Sequence, residues 1–174
     1  PVVTAGTPIY APMQAVALHS SLVETPCSGA TPDGLLIQTP ADMESVPLQM
    51  NGAAVGVLGT AFVQLQPAGA LTISVLDGMV LVTVDTYTAT VPAGARAVVP
   101  LSEDDAVSGL PQVEVTGVEA SAALPLALLP ETVAAQAAPD VPVIVGAEAC
   151  AVRSDRGETT CPLHFINADG DAIT

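Results

Sequence analysis

Between Gly59 and Pro100 the chain alternates apolar and polar residues, and turn residues break the alternation. Leu71, Ile73 and Val75 fall on one side of an extended backbone, with Thr72 and Ser74 on the other. After Asp77-Gly78 the run VLVTV resumes at Val80, Thr86 to Val91 reads as a further strand, and Pro92-Ala93-Gly94-Ala95 reads as a turn into Arg96 to Val99. Period-two alternation interrupted by Asp-Gly and Pro-x-Gly predicts consecutive antiparallel hairpins.

The flanks extend this picture. Leu35 to Thr39 is a short strand after Pro32-Asp33-Gly34. Glu44 to Met50 pairs with Ala53 to Leu58 across Asn51-Gly52, the strongest hairpin turn signal in the chain. Residues 102–109 (SEDDAVSG) form an acidic loop, and Val113 to Thr116 a short strand. The one helix candidate is 119–129 (EASAALPLALL), which Pro125 limits to about two turns or kinks. Residues 130–142 are Ala/Pro-rich and read as a linker; Val143 opens a terminal hairpin that closes with LHFI at Leu163. The fold class is mainly β: antiparallel hairpins in a sandwich or stacked sheet, with one short helix and an extended N-terminal arm. The organisation reads as an arm over 1–34, a β domain over 35–117, a helix and linker over 118–142, and a C-terminal hairpin over 143–174.

The arm stands out by its charge. The first acid is Glu24 and no Lys or Arg precedes it, so residues 1–23 carry no ordinary charge in a chain of net charge -15. Pro8, Pro12 and Pro26 forbid a long helix and suit an edge or an extended segment. Val2, Val3, Thr4, Ile9, Tyr10, Val16 and Leu18 suit a strand. Two readings follow: an edge strand on the chain's own sheet, or strand addition to a neighbouring subunit.

Composition narrows the function classes. Half the residues are apolar, so 174 residues hold one domain with a core of Val, Ala, Leu and Ile. The cations are Arg96, Arg153 and Arg156 against 18 acids, with no lysine. Such a chain lacks the cations that neutralise phosphates, so nucleic acid is excluded as a partner, and anionic membrane surfaces repel it. Lysine Schiff-base and P-loop chemistry are absent with the lysines. The aromatics are Tyr10, Phe62, Tyr87 and Phe165, too few to stack on bases or sugars. No apolar run reaches the ~18 residues that span a bilayer, and no signal-peptide pattern is visible.

Candidate chemistry is sparse. Cys161-Pro-Leu-His164 has the spacing of half a zinc site, to be completed by Cys150, Cys27 or His19; a disulfide plus a strand histidine accounts for the same residues. Asn167, Asp169 and Asp171 have the oxygen spacing that opens a calcium loop, without the Gly at position six or the Glu at position twelve, so a polar turn is expected. No Gly-x-Ser-x-Gly elbow is present, and His19 and His164 stand apart from any nucleophile motif. The expectation is no catalytic residue, no cofactor and no enzyme.

Several strand and turn motifs also resemble a FecR-type domain over about residues 35–100. The matching pieces are LLIQTP from Leu35, GTAFV from Gly59, LTISVLDGMVLVTV from Leu71 and VPAGARAVVP from Val91. The resemblance implies an envelope or extracellular domain of stacked antiparallel strands without catalysis, and no active-site residues to carry over. Family members that regulate sigma factors have an N-terminal cytoplasmic tail and a transmembrane helix, which this sequence does not show. Secreted proteins with such a domain followed by a small Ala/Leu-rich helix look closer, with residues 118–130 as that helix. The resulting expectation is an extracellular or cell-surface structural protein, a homo-oligomer or polymer such as a filament or surface layer. The alternative is a FecR-like envelope domain that binds a protein partner and signals.

The cysteines give the first test. Cys150 and Cys161 flank ten residues that contain the turn Ser154-Asp-Arg-Gly, and a disulfide there closes a hairpin and places the chain in an oxidising compartment. Cys27 is left over, either buried and free, paired outside this chain, or paired between subunits. Mass spectrometry of native material is expected to find Cys150 linked to Cys161, with reduction costing about 2–3 kcal/mol for so short a loop; two free thiols would refute the pairing.

Overall fold

The computed structural model describes residues 15–18, 33–66, 69–117, 121, 124–138, 143–147, 151–153, 158–160, 163–166 and 172–173. Its strands are β1 (Ala15–Val16), β2 (Leu35–Gln38), β3 (Val46–Met50), β4 (Ala53–Gln66), β5 (Ala70–Val84), β6 (Tyr87–Pro92), β7 (Ala95–Pro100) and β8 (Gln112–Val115). They are followed by β9 (Val143–Ala147), β10 (Ala151–Arg153), β11 (Glu158–Thr160), β12 (Leu163–Ile166) and β13 (Ala172–Ile173). The fold is mainly β, as the alternation predicts.

The spine is the long antiparallel pair β4–β5, and each end of it has different neighbours. The second half of β4 pairs with β2 and the first half of β5 with β7, which in turn pairs with β8. The first half of β4 pairs with β3 and the second half of β5 with β6. The ribbon therefore contributes to two layers. Layer I runs β2–β4–β5–β7–β8; layer II runs β1–β3–β4–β5–β6–β9–β12–β13. Their inner faces form one core: Met50, Val55, Val57, Val80 and Val82 from layer II meet Val63, Leu71, Ile73, Ala97 and Val99 from layer I. Each fully buried valine contributes roughly 1.5–2 kcal/mol of apolar transfer. The far ends of the two layers are tied where Leu101 N–H donates to Gly69 O (2.8 Å) and Val107 N–H to Asn51 O (2.9 Å).

The crossings from β2 to β3, within β4, within β5 and from β6 to β7 lie along one crease. Gly59 of β4 stands opposite Gly78 of β5, at φ +131° and +75°. A Cβ on Gly59 would sit 2.3 Å from Asp77 O, and one on Gly78 2.0 Å from Leu58 O. Only glycine lets the two backbones approach there. Beside them, Thr39 turns β2 into β3; its hydroxyl donates to Val57 O (2.7 Å) and accepts from Gly59 N–H (3.2 Å). On the other flank Ala93 and Gly94 turn β6 into β7, and their N–H groups donate to Gly78 O and Val75 O (3.0 Å each). The backbone groups freed by the bend are thus re-paired at both edges.

Asp77-Gly78 is therefore a bend inside one 15-residue strand and not a hairpin turn. Thr60 pairs with Asp77 but Ala61 with Val75, which leaves Leu76 as the extra residue of a β-bulge. The bulge explains the shift from odd (71, 73, 75) to even (80, 82, 84) apolar positions: one inserted residue keeps both sets facing the core. Pro92 to Ala95 likewise joins two layers, since β6 and β7 pair with different halves of β5. Asn51-Gly52 is the expected two-residue turn, with φ +50° and +99°.

Of the helix expected over 119–129, residues 119, 120, 122 and 123 lie outside the described residues, and the part at 124–129 is corrected. The described residues there hold a 3-10 turn at Leu126–Leu128, with Pro125 capping its start and extended backbone at Leu129. Pro125 cannot sit inside an α-helix, because it lacks the N–H and its ring clashes with the carbonyl four residues back, and Pro130 holds Leu129 extended. The C-terminal strands do form a hairpin, β9 against β12, and it is continuous with layer II through Thr88↔Ala147 and Ala89↔Gly146.

The crease makes a sharp prediction. Gly78→Ala is expected to destabilise the chain by more than about 2 kcal/mol in urea unfolding, whereas Gly56→Ala, whose Cβ meets nothing closer than Leu81 Cβ at 3.9 Å, is expected to stay within about 0.5 kcal/mol.

Candidate functional site

The two outer faces of the sandwich differ sharply. The outer face of layer I is covered. Phe62 and Thr72 point away from the core, yet they are 5 % and 4 % exposed. Gln66 Nε2 donates to Thr72 Oγ1 (3.0 Å), and beside Phe62 run residues 124–138, which the sequence presents as helix and linker. Glu131 N–H donates to Gln38 Oε1 (3.0 Å) and Gln38 Nε2 donates to Glu131 O (3.1 Å). One side-chain amide thus reads both backbone groups of one residue, as a neighbouring strand would. Further on, Gln136 N–H donates to Leu76 O (3.0 Å), and Gln136 Nε2 donates to Asp77 Oδ1. At Ala137 and Ala138 the strap lies on Gly94, where a Cβ would meet Ala138 N at 2.0 Å. Between strap and sheet remains a cavity of about 100 Å³ beside Phe62, Ser74 and Arg96. Arg96 makes an exposed ion pair with Glu114 (2.7 Å), of little energetic weight at such exposure.

The outer face of layer II has no such cover among the described residues. Its central columns are Ala54, Gly56 and Leu58 on β4 and Met79, Leu81 and Thr83 on β5. Pro47 and Gln49 flank them on β3, and Thr88, Thr90 and Pro92 on β6. None of these residues is charged. Met79 and Leu81 are 43 % and 36 % exposed. Beside them the small β4 side chains leave an open trough of about 390 Å³, with Gly56 on its floor and Pro47, Leu48 and Leu81 along it. The acids lie off the ends of the strands, Glu44 before β3 and Asp85 in the β5–β6 turn.

The third element is the arm. Ala15 and Val16 pair in parallel with Gln49 and Met50 at the edge of β3. Leu18 is held by a second amide clasp: its N–H donates to Asn51 Oδ1 (3.0 Å), and Asn51 Nδ2 donates to Leu18 O (2.9 Å). The same Nδ2 donates to Asp105 O (2.7 Å), which ties down the acidic loop. Leu18 also packs against the core. At Val16 and Leu18, then, the arm lies on its own sheet, the first of the two readings of this segment. Val2, Val3, Thr4, Ile9 and Tyr10 lie outside the described residues.

The remaining candidates fall as follows. Cys27, Cys150, Cys161, Asn167, Asp169 and Asp171 lie outside the described residues, as do His19 and residues 118–120. His164 is in β12, and the β10–β11 ladder between the two cysteines runs from Ala151↔Thr160 to Arg153↔Glu158. Among the described residues no group of three His, Cys, Asp or Glu side chains is placed to hold a metal ion, and no helix is long and apolar enough to cross a membrane. The clasping roles of Gln38, Asn51 and Gln136 were not legible in the sequence, where Asn51 reads only as a turn residue. A lone side-chain amide does not reveal which backbone it meets until the fold is known.

Comparison of the chain with protein-family models, with curated proteins and with solved structures found no match.

The strap gives a local prediction. Gln38→Ala removes both bonds to Glu131, at a cost of about 1–2 kcal/mol. Hydrogen exchange is expected to quicken at the backbone amides of Glu131 and Gln136 and to stay unchanged in β4 and β5; uniform loss of protection would show that the strap does not open on its own.

Proposed function

We propose that this chain is a non-enzymatic subunit of an extracellular assembly, a filament or surface layer, in which residues 1–14 add as a strand to a neighbouring copy. The observation that carries this reading is the way the arm meets the sheet. β1 takes up only the last two positions of β3, and among the described residues no strand pairs with the outer side of Val46 to Leu48. The chain thus has an uncharged, strand-compatible segment next to an incompletely used edge. An uncharged strand approaches a body of net charge -15 without Coulomb cost, and its backbone satisfies the edge it meets. Pro47 removes one donor from that edge, which disfavours indiscriminate pairing.

The FecR-type likeness of residues 35–100 supports the same envelope setting and also a second reading, a domain that binds a different protein and signals. The strapped face of layer I favours that reading to this extent: it already holds an extended Ala-rich segment through side-chain amides.

Electron microscopy of the full-length chain is expected to show polymers, and removal of residues 1–14 is expected to abolish them while the far-ultraviolet β signature is kept. The deletion stops short of residues 15–18 because those belong to the folded body. Polymers that persist without residues 1–14 would overturn strand addition, and a full-length chain that never polymerises would favour the second reading.

A further inference from the structure

The outer face of layer II offers a second contact, independent of the arm. Among the described residues, the fold lays residues 124–138 along one outer face and nothing over the other. The bare face is the one without charge. In a chain with 18 acids, a neutral four-strand face is the direction from which another copy meets the least repulsion. Apolar surface left open in this way marks an interaction site.

Its relief specifies the occupant. Past Leu58 the column on β4 drops to Gly56 and Ala54, while on β5 Leu81 stands up beside Gly56. Gly56 and Leu81 are direct cross-strand partners, so trough and ridge lie side by side, about 4.8 Å apart. A twofold axis along the strands, between β4 and β5, sets the ridge of each copy over the trough of the other. A surface that is self-complementary about a twofold axis is the requirement for an isologous dimer. Two sheets in this arrangement pack about 10 Å apart, like the layers of a sandwich.

Building on the assembly reading, we infer that two copies of this chain dock face to face through the outer surface of layer II, with Leu81 of each seated over Gly56 of the other. The face supplies a symmetric contact and the arm a directional one, so the two together generate an extended polymer where either alone would give only pairs or single strings. Glu44 and Asp85 at the ends of the strands oppose the approach, and added salt strengthens the contact by screening them.

The test is sedimentation of the full-length chain and its variants across a range of salt concentrations. Leu81→Asp places a charge on the ridge, and Gly56→Leu fills the trough. Both are expected to weaken pairing at least tenfold, with unchanged thermal midpoints. The second variant separates fit from stickiness, because a nonspecific apolar attraction would grow stronger with the added leucine. If Leu81→Asp folds poorly, Met79→Lys, at a more exposed position, makes the same test. Polymers in which these variants match the parent would overturn the face while the arm-based reading stands. A full-length chain that is monomeric at every salt concentration would overturn both. Pairing that emerges only after residues 1–14 are removed would assign the face to the chain's own arm and overturn the second copy as its occupant.

Discussion

The fold depends on one steric condition, that two strand backbones can touch at Gly59 and Gly78. A ribbon of β4 and β5 with side chains at both positions would run on as a single twisted sheet with one face of valines turned to water. With both Cβ atoms missing, the ribbon doubles over and its two halves bury those valines against each other. Everything nearby serves the same bend. Thr39 replaces ladder bonds on one flank, Ala93 and Gly94 on the other, and the bulge at Leu76 corrects the side-chain phase so that both halves present their apolar set inward.

How much of this was legible in the sequence follows from what each signal encodes. Alternation reports which residues face the core, and it located the β2 to β8 strands and the Asn51-Gly52 turn. It does not report whether a change of phase comes from a turn or from a bulge. The step from Val75 to Val80 supports both, and only the pairing of Thr60 with Asp77 and Ala61 with Val75 decides between them. The helix expected around residue 124 illustrates the opposite failure, in which Ala and Leu propensity was given more weight than two prolines. Residues 130–142 read as a linker because a strap held by amides has no periodicity of its own. Of the surfaces, the uncharged arm was visible as composition, but the neutral face of layer II was not. Its members are spread over β3, β4, β5 and β6 and come together only once the register is known.

Charge is distributed so that cohesion and repulsion occupy different places. Among the described residues, the core and the four-strand outer face of layer II are neutral, while the acids lie in the turns, the loop at 103–105, the crease at Asp77, Glu114 on β8, Glu158 on β11 and the strap at Glu131. Such a molecule repels its copies from most directions and admits them from a few. That geometry is what the proposed assembly calls for.

The amide clasps have a consequence for how the molecule responds to its surroundings. Asn51 holds the arm and the acidic loop, and Gln38 holds the strap, in both cases through groups that neither gain nor lose a proton and that carry no net charge for salt to screen. Acidification or brine would alter the forces between molecules while leaving these internal fastenings untouched. A body built this way keeps its shape as the medium changes, and the medium sets only how closely such bodies crowd together.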